Sequence, residues 1–170
     1  MKTEKKNPMI QILENLWDRN SNQLPLKQLA EKVEENRYKE RPSVPIKYRI
    51  KPVFRENTAN ELTRSIIEFM KVIGGQAERI NSMGRQITKN RRTIWVYGTG
   101  TNGTADISAT WEGKSIKIEV KATRGEKQSE KQKEYQRTIE QSGGIYIIAR
   151  SFDGFLFQFF KAVEGFNHGD

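Results

Sequence analysis

The chain has 170 residues, with 30 lysines and arginines against 21 acids, no cysteine and one histidine, for a net charge of +9 and a pI near 9.8. The missing cysteines exclude disulfides, thiolate metal sites and cysteine nucleophiles, and no run approaches the roughly 18 consecutive apolar residues of a membrane span. The start Met1-Lys2-Thr3-Glu4-Lys5-Lys6 has no apolar stretch behind it, so no signal peptide is expected and a cytoplasmic, intracellular protein is. The basic surplus suits a polyanionic partner, because phosphate neutralisation supplies most sequence-independent affinity for nucleic acid; solubility or attraction to anionic membrane would also account for it.

From Pro8 to about Arg37 the apolar residues Ile10, Ile12, Leu13, Leu16 and Trp17, then Leu26, Leu29, Ala30 and Val33, recur at helical spacing. Polar Asp18 to Leu24 separates them, so two short helices are predicted, either an arm for DNA contact or dimerisation or a packing appendage. Arg41 to Asn57 carries Pro42, Pro45 and Pro52 among scattered basic residues, which predicts an extended linker. The domain boundary is placed there: a helical arm and linker over 1–57, and the main domain over 58–170.

Thr58 or Asn60 can cap a helix whose apolar stripe of Leu62, Ile66, Phe69, Met70 and Ile73 stops at Gly74-Gly75. Gln76 to Asn81 predicts a strand with Arg79 and Asn81 on one face, followed by a basic loop from Ser82 to Arg92 that includes Arg85. Thr93 to Tyr97 predicts another strand, leading into glycines 98, 100 and 103. Those glycines allow close approach of a phosphate backbone. They lack the lysine and hydroxyl residue that complete a P-loop, so no nucleotide cofactor is expected.

The stretch from Asp106 to Lys121 carries the chemistry. A strand opening on Asp106, a tight turn at Glu112-Gly113 and a second strand from Ile116 to Lys121 make an antiparallel hairpin. Side chains alternate across a strand, so Lys117, Glu119 and Lys121 share one face and Ile116, Ile118 and Val120 the other. Folding back at the turn brings Asp106 to the end of the second strand where Glu119 and Lys121 lie. Two carboxylates are the oxygen ligands that Mg²⁺ typically takes from a protein, and a lysine beside them can orient or deprotonate water and steady negative charge on a phosphate. The same pattern also describes the solvated face of an ordinary hairpin.

Beyond a polar loop, Ala122 to Lys127, Ser129 caps a helix to about Gln141 with Tyr135 and Ile139 as its apolar contacts. Gly143-Gly144 ends it, and the unbroken apolar run Ile145 to Ala149 predicts a strand covered on both faces. Phe155 to Phe160 predicts a closing aromatic helix or strand that serves the core or a subunit contact. His168 lies in a polar tail and takes no role.

Gly103-Thr104-Ala105-Asp106-Ile107, then Ile118-Glu119-Val120-Lys121, then Gln128-Ser129-Glu130-Lys131-Gln132 opening a helix resembles the PD-(D/E)xK nuclease superfamily, and within it the VRR-NUC (virus-type replication-repair nuclease) branch. The resemblance covers roughly Thr58 to Phe160. It implies an α/β fold, a restriction-endonuclease-like core with a central mixed β-sheet flanked by helices, here with an N-terminal helical extension. It also implies that Asp106 and Glu119 bind a divalent metal, Mg²⁺ or Mn²⁺, that the Val120 carbonyl is a further ligand, that Lys121 serves the nucleophilic water and that Gln132 supports the site, with Gln128 a weaker rival. The family's glutamate near the start of its first helix matches Glu61, with Glu68 as the rival. One departure is Thr104 where the pattern has proline two residues before the aspartate, which leaves the metal ligand intact. Arg79, Asn81, Arg85, Thr104 and Arg124 are the candidate DNA contacts.

The resulting expectation is a metal-dependent, structure-selective DNA endonuclease in a bacterial, phage or mobile-element setting. Stand-alone proteins of the branch imply a homodimer that resolves four-way (Holliday) junctions. Two other classes fit the residues: a nucleic-acid-binding module whose site no longer cuts, and an interaction protein acting through its N-terminal helices.

Overall fold

A computed structural model describes residues 25–80, 85–89, 92–96, 101, 103–123 and 125–166. Of the two helices predicted before Arg41, the first lies outside these residues and the second is α1, Pro25–Lys39. It is followed by a 3₁₀ turn at Ile46–Tyr48, then α2 (Ala59–Val72), β1 (Gln76–Arg79), β2 (Arg85–Lys89), β3 (Arg92–Val96), β4 (Ile107–Trp111), β5 (Lys114–Val120), α3 (Glu130–Gln141), β6 (Ile145–Ala149) and α4 (Phe152–Phe166).

Four strands form one mixed sheet in the order β1-β4-β5-β6, antiparallel except for the parallel pair β5 and β6. The antiparallel pair β4 and β5 needs only a two-residue turn, whereas the parallel return to β6 needs a crossover, and α3 supplies it. The turn is the expected Glu112-Gly113, and both residues adopt positive φ, 47° and 73°. That is the primed geometry that matches the twist of two paired strands. Register runs Ile107 opposite Ile118 and Trp111 opposite Lys114, so the hairpin has the parity expected from its alternation.

The basic stretch from Ser82 to Arg92, expected to be a loop, instead contributes β2, which pairs with β3 in a separate two-stranded ribbon. Its cations mask a short strand sequence around Ile87 and Thr88. Pairing with the more visible strand Arg92–Val96 satisfies backbone groups that composition alone assigned to solvent.

One face of the main sheet presents Ile107, Ala109, Trp111, Ile116, Ile118, Val120, Ile145, Ile147 and Ala149, all buried. They pack against α2 and α4, where Phe69 meets Phe152, Phe155 and Phe159 edge to face at 6.0, 5.6 and 5.7 Å. The closing aromatic segment is therefore a helix, and Phe152, Phe155 and Phe159 serve the core while Phe157 is half exposed. Leu29 and Val33 of α1, one helical turn apart, and Phe54 of the following extended segment join the same cluster.

Helix ends are set by chemistry that the sequence displays. Thr58 Oγ1 accepts a hydrogen bond from the Glu61 backbone N–H at 3.2 Å and caps α2, while Gly74 at φ 81° turns the chain out of it. Trp111 Nε1 donates to the Ile73 carbonyl at 3.1 Å, which ties the hairpin to that helix end. The free edge of β6 is closed by a side chain. Gln158 of α4 donates from Nε2 to the Ile148 carbonyl at 2.9 Å and accepts from the Ile148 N–H at 3.4 Å, so its amide stands where another strand would pair.

Candidate active site

The second face of the hairpin gathers the polar residues. Asp106 sits just before β4, opposite Glu119 by continuation of the register, and its Oδ2 accepts the Val120 backbone N–H at 2.9 Å. One carboxylate oxygen is thereby spent on holding the strand, and the carboxyl group is fixed against the Glu119-Val120 peptide. Farther along the same face, Lys117 donates to Ser108 Oγ at 2.6 Å and is committed to that cross-strand contact.

Glu119 is 2% exposed. Its Oε1 accepts from Lys121 Nζ at 2.8 Å and from Gln132 Nε2, whereas its Oε2 is buried and has no hydrogen-bond partner among the described residues. Burial pushes its carboxyl above the usual carboxylate range, the Lys121 hydrogen bond pulls the other way, and the charge of nearby Asp106 adds to the upward push. Leaving a buried carboxylate oxygen without a donor is costly, and at Glu119 that cost falls on Oε2.

Lys121 is also buried, and its ammonium meets three acceptors: Glu119 Oε1 at 2.8 Å, Gln132 Oε1 at 3.3 Å and Glu126 Oε1 at 3.6 Å. Burial alone would lower its pKa, but the Glu119 hydrogen bond and the charges of Glu119, Glu126 and Asp106 outweigh it and raise the pKa above the ordinary lysine value. Lys121 is therefore an ammonium at neutral pH.

Gln132 reaches this pair because of a local capping arrangement. Ser129 Oγ accepts the Gln132 N–H at 3.3 Å, and Gln132 Oε1 accepts the Ser129 N–H at 2.9 Å. This capping box starts α3 and sets the amide in one orientation, with Oε1 toward Lys121 and Nε2 toward Glu119. Ser129→Ala is expected to cost about 1 kcal/mol through the lost cap, a fall of about 2–4 °C in a thermal melt. Gly103 lies close against the same helix: with φ at 88°, a Cβ there would lie 2.7 Å from the Lys131 carbonyl oxygen.

Of the residues singled out in the sequence, Asp106, Glu119, Lys121 and Gln132 come together, with the Val120 backbone between the two acids. Gln128, the rival to Gln132, donates instead to Gln136 at 3.0 Å. Glu61 lines a cavity of about 160 Å³ with Val53, Phe54, Arg55, Arg64 and Ser65, and its Oε2 is buried without a partner. Its rival Glu68 is paired with Lys71 at 2.9 Å on the surface of α2. No group of three or more acidic, histidine or cysteine side chains converges as a metal cluster among the described residues, so Asp106 and Glu119 stand as a pair. Arg79 donates to Asn60 Oδ1 at 2.9 Å, and Thr104 Oγ1 is buried without a partner. Arg85 opens β2, while Asn81 and Arg124 lie outside the described residues.

Two neighbours of the site carry no sequence signal of their own. Tyr146 pairs in register with Lys117, two residues from Glu119 on the shared face, and packs edge to face on Tyr135 of α3 at 6.3 Å. Burial, followed by the Glu119 charge, pushes its hydroxyl pKa up, so it remains protonated. Glu126, the second acid beside Lys121, lies in a polar loop where any acid is unremarkable.

The donor set suits a hard divalent cation. Glu119 Oε2, the second oxygen of Asp106 and the Val120 carbonyl are oxygen ligands of the kind Mg²⁺ or Mn²⁺ accepts, and the unpartnered Oε2 is the atom that such an ion would satisfy. Fold and site together define a mixed α/β protein with two acids and a lysine on the polar face of its central hairpin, met there by a glutamine from α3. Comparison with protein-family models and with curated proteins gives no match to the chain.

Proposed function

We propose that this protein is a metal-dependent phosphodiesterase acting on DNA, an endonuclease of the PD-(D/E)xK kind that its motifs resemble. The observation that carries the reading is the division of labour at Glu119: Oε1 is clamped by Lys121 and Gln132, and Oε2 is buried and left open on a carboxyl that feels the Asp106 charge. A purely structural ion pair would gain by satisfying both oxygens.

Asp106, Glu119 and the Val120 carbonyl would hold Mg²⁺ or Mn²⁺, which when bound supplies Lewis-acid polarisation of the phosphate and a more acidic water. Glu61, with its own unpartnered oxygen at the start of α2, would complete the carboxylate set only by turning toward the pair. Lys121, held against Glu119, would assist the attacking water and steady charge on the phosphate. Gln132 positions both Glu119 and Lys121. The net charge of +9 favours a polyanionic substrate. A homodimer cutting four-way junctions is the finer form of the proposal and follows from the family resemblance.

All three contacts of the Lys121 ammonium are protein acceptors, and the longest, to Glu126, is the one a phosphate would replace. Glu126→Gln is expected to tighten DNA binding several-fold in a fluorescence titration. The change in stability should stay within about 1 kcal/mol, because the Glu126 side chain is 41% exposed. The proposal itself is tested with labelled four-way junction, flap, single-stranded and linear duplex DNA in Mg²⁺, Mn²⁺ or EDTA, alongside Lys121→Ala. Metal-dependent cutting that this substitution removes supports it, and paired symmetric cuts confined to the junction support the resolvase form. Intact DNA under every condition, with binding retained, overturns catalysis in favour of a binding module.

A further inference from the structure

Residues 37–55 contain seven lysines and arginines and one acid, so about a ninth of the chain carries six of its nine net positive charges. Arg37, Lys39, Arg41, Lys47, Lys51 and Arg55 are all exposed, and none is ion-paired within the described residues. Among the described residues, four of the five exposed large apolar side chains lie in the same segment: Ile46, Tyr48, Ile50 and Val53 are 80%, 65%, 72% and 64% exposed. Lys47 Nζ lies over the Tyr48 ring at 4.9 Å, which leaves the opposite ring face for a ligand, and such a concentration of apolar surface beside cations without a carboxylate partner is unusual for a plain connection between helices.

The segment is held in place. The buried Tyr38 hydroxyl accepts the Ile50 N–H at 2.8 Å, and Arg49 lies over the Tyr38 ring at 5.0 Å. Pro52 and Phe54 are buried, and Ser65 of α2 donates to the Arg55 carbonyl at 3.0 Å. Pro52 and Phe54 face inward, so Lys51, Val53 and Arg55, which alternate with them, are presented outward. The strip ends at the cavity that Arg55 shares with Glu61, on the first turn of α2.

We infer that residues 37–55 form a binding strip for a single-stranded segment of nucleic acid, with the cations following the phosphates and Tyr48, flanked by Ile46 and Ile50, receiving an unpaired base. An electrostatic groove interleaved with an aromatic platform is the chemistry that binds single strands without sequence preference. A duplex would use the cations but leave the apolar side chains in water. A second copy of the chain would bring the same positive charge against itself. The inference deepens the DNA reading above by naming an unpaired strand as part of the substrate.

The test is equilibrium binding in EDTA, where no cutting can contribute, using fluorescent oligothymidine of about 30 nucleotides and the matching duplex across a salt series. Lys47→Gln/Lys51→Gln/Arg55→Gln should lower the salt slope by about 2 and the single-strand affinity by roughly 10- to 100-fold. A control, Lys32→Gln/Lys71→Gln/Lys133→Gln, removes the same charge from ion-paired surface sites and should have a much smaller effect. Tyr48→Ala should weaken the single strand by roughly 5- to 150-fold, the cost of one lost base stack, and the duplex far less. Equal losses from both triple variants overturn the strip, as does a Tyr48→Ala loss that is the same for duplex and single strand. If the strip variants leave DNA affinity unchanged but alter sedimentation or binding to phosphatidylserine vesicles, the surface belongs to a second copy or a membrane and the inference fails. The nuclease reading is judged separately by cutting in Mg²⁺ or Mn²⁺.

Discussion

Asp106→Asn is expected to remove metal-dependent hydrolysis of DNA, by at least about 10³-fold, while leaving the fold intact. Asparagine keeps an oxygen that can accept the Val120 N–H, the contact that Asp106 Oδ2 makes at 2.9 Å, so the start of β4 stays pinned to the end of β5. What it lacks is the negative charge and the second ligand oxygen. Losing one of two carboxylates from the proposed site for a hard cation would weaken the ion's hold and the electrostatic stabilisation it brings, and about 4 kcal/mol of barrier corresponds to the stated factor. The check is a single-turnover cutting assay over a metal titration, with a thermal melt in metal-free buffer for each protein. Wild-type cutting by Asp106→Asn would remove the carboxylate pair from the mechanism. An unchanged melt with lost cutting would separate chemistry from folding.

The largest effect on stability is expected at Phe69. Its ring is buried and makes edge-to-face contacts with Phe152, Phe155 and Phe159, so it joins α2 to α4 beneath the sheet. Phe69→Ala should cost about 3–5 kcal/mol, the lost transfer energy plus the cavity left among side chains that cannot all collapse inward. For a domain of this size each kcal/mol lowers the midpoint by about 2–4 °C, so a fall of about 6–20 °C is expected. Phe69→Leu, which refills much of the volume, should lose less. The same melts read the consequence for the site: α2 carries Glu61 and abuts the extended segment through Ser65, so loosening it should weaken DNA binding before it affects the Asp106–Glu119 hairpin.

The hairpin was legible in the sequence because its rule is local. A period of two assigns Glu119 and Lys121 to one face, and a two-residue turn at Glu112-Gly113 leaves one register, the one that places Asp106 beside Glu119. The caps at Thr58 and Ser129 were legible for the same reason, each being one side chain within three residues of its partner. The contacts of Gln132 with Glu119 and Lys121 were not legible from the residues themselves, because nothing along α3 distinguishes one glutamine from another until β5 lies against the helix. The cations between Ser82 and Arg92 hid β2, since a strand in a ribbon is defined by the partner that pairs with it.

The amino-acid sequence by itself determined the elements whose information is carried within a few residues: the hairpin, the capped helices, the apolar faces and the concentration of positive charge. Tertiary structure decided which polar groups meet. It clamped one oxygen of Glu119 and left the other open, set Glu126 and Gln132 on Lys121, placed Glu61 in a cavity with Arg55, and pinned Ile50 to Tyr38 so that a basic connection became a presented surface. Those outcomes join residues 2 to 13 positions apart whose side-chain chemistry is compatible with many partners. Only the packing of helices on one sheet selects among them, because burial makes a satisfied polar contact favourable and an unsatisfied one costly.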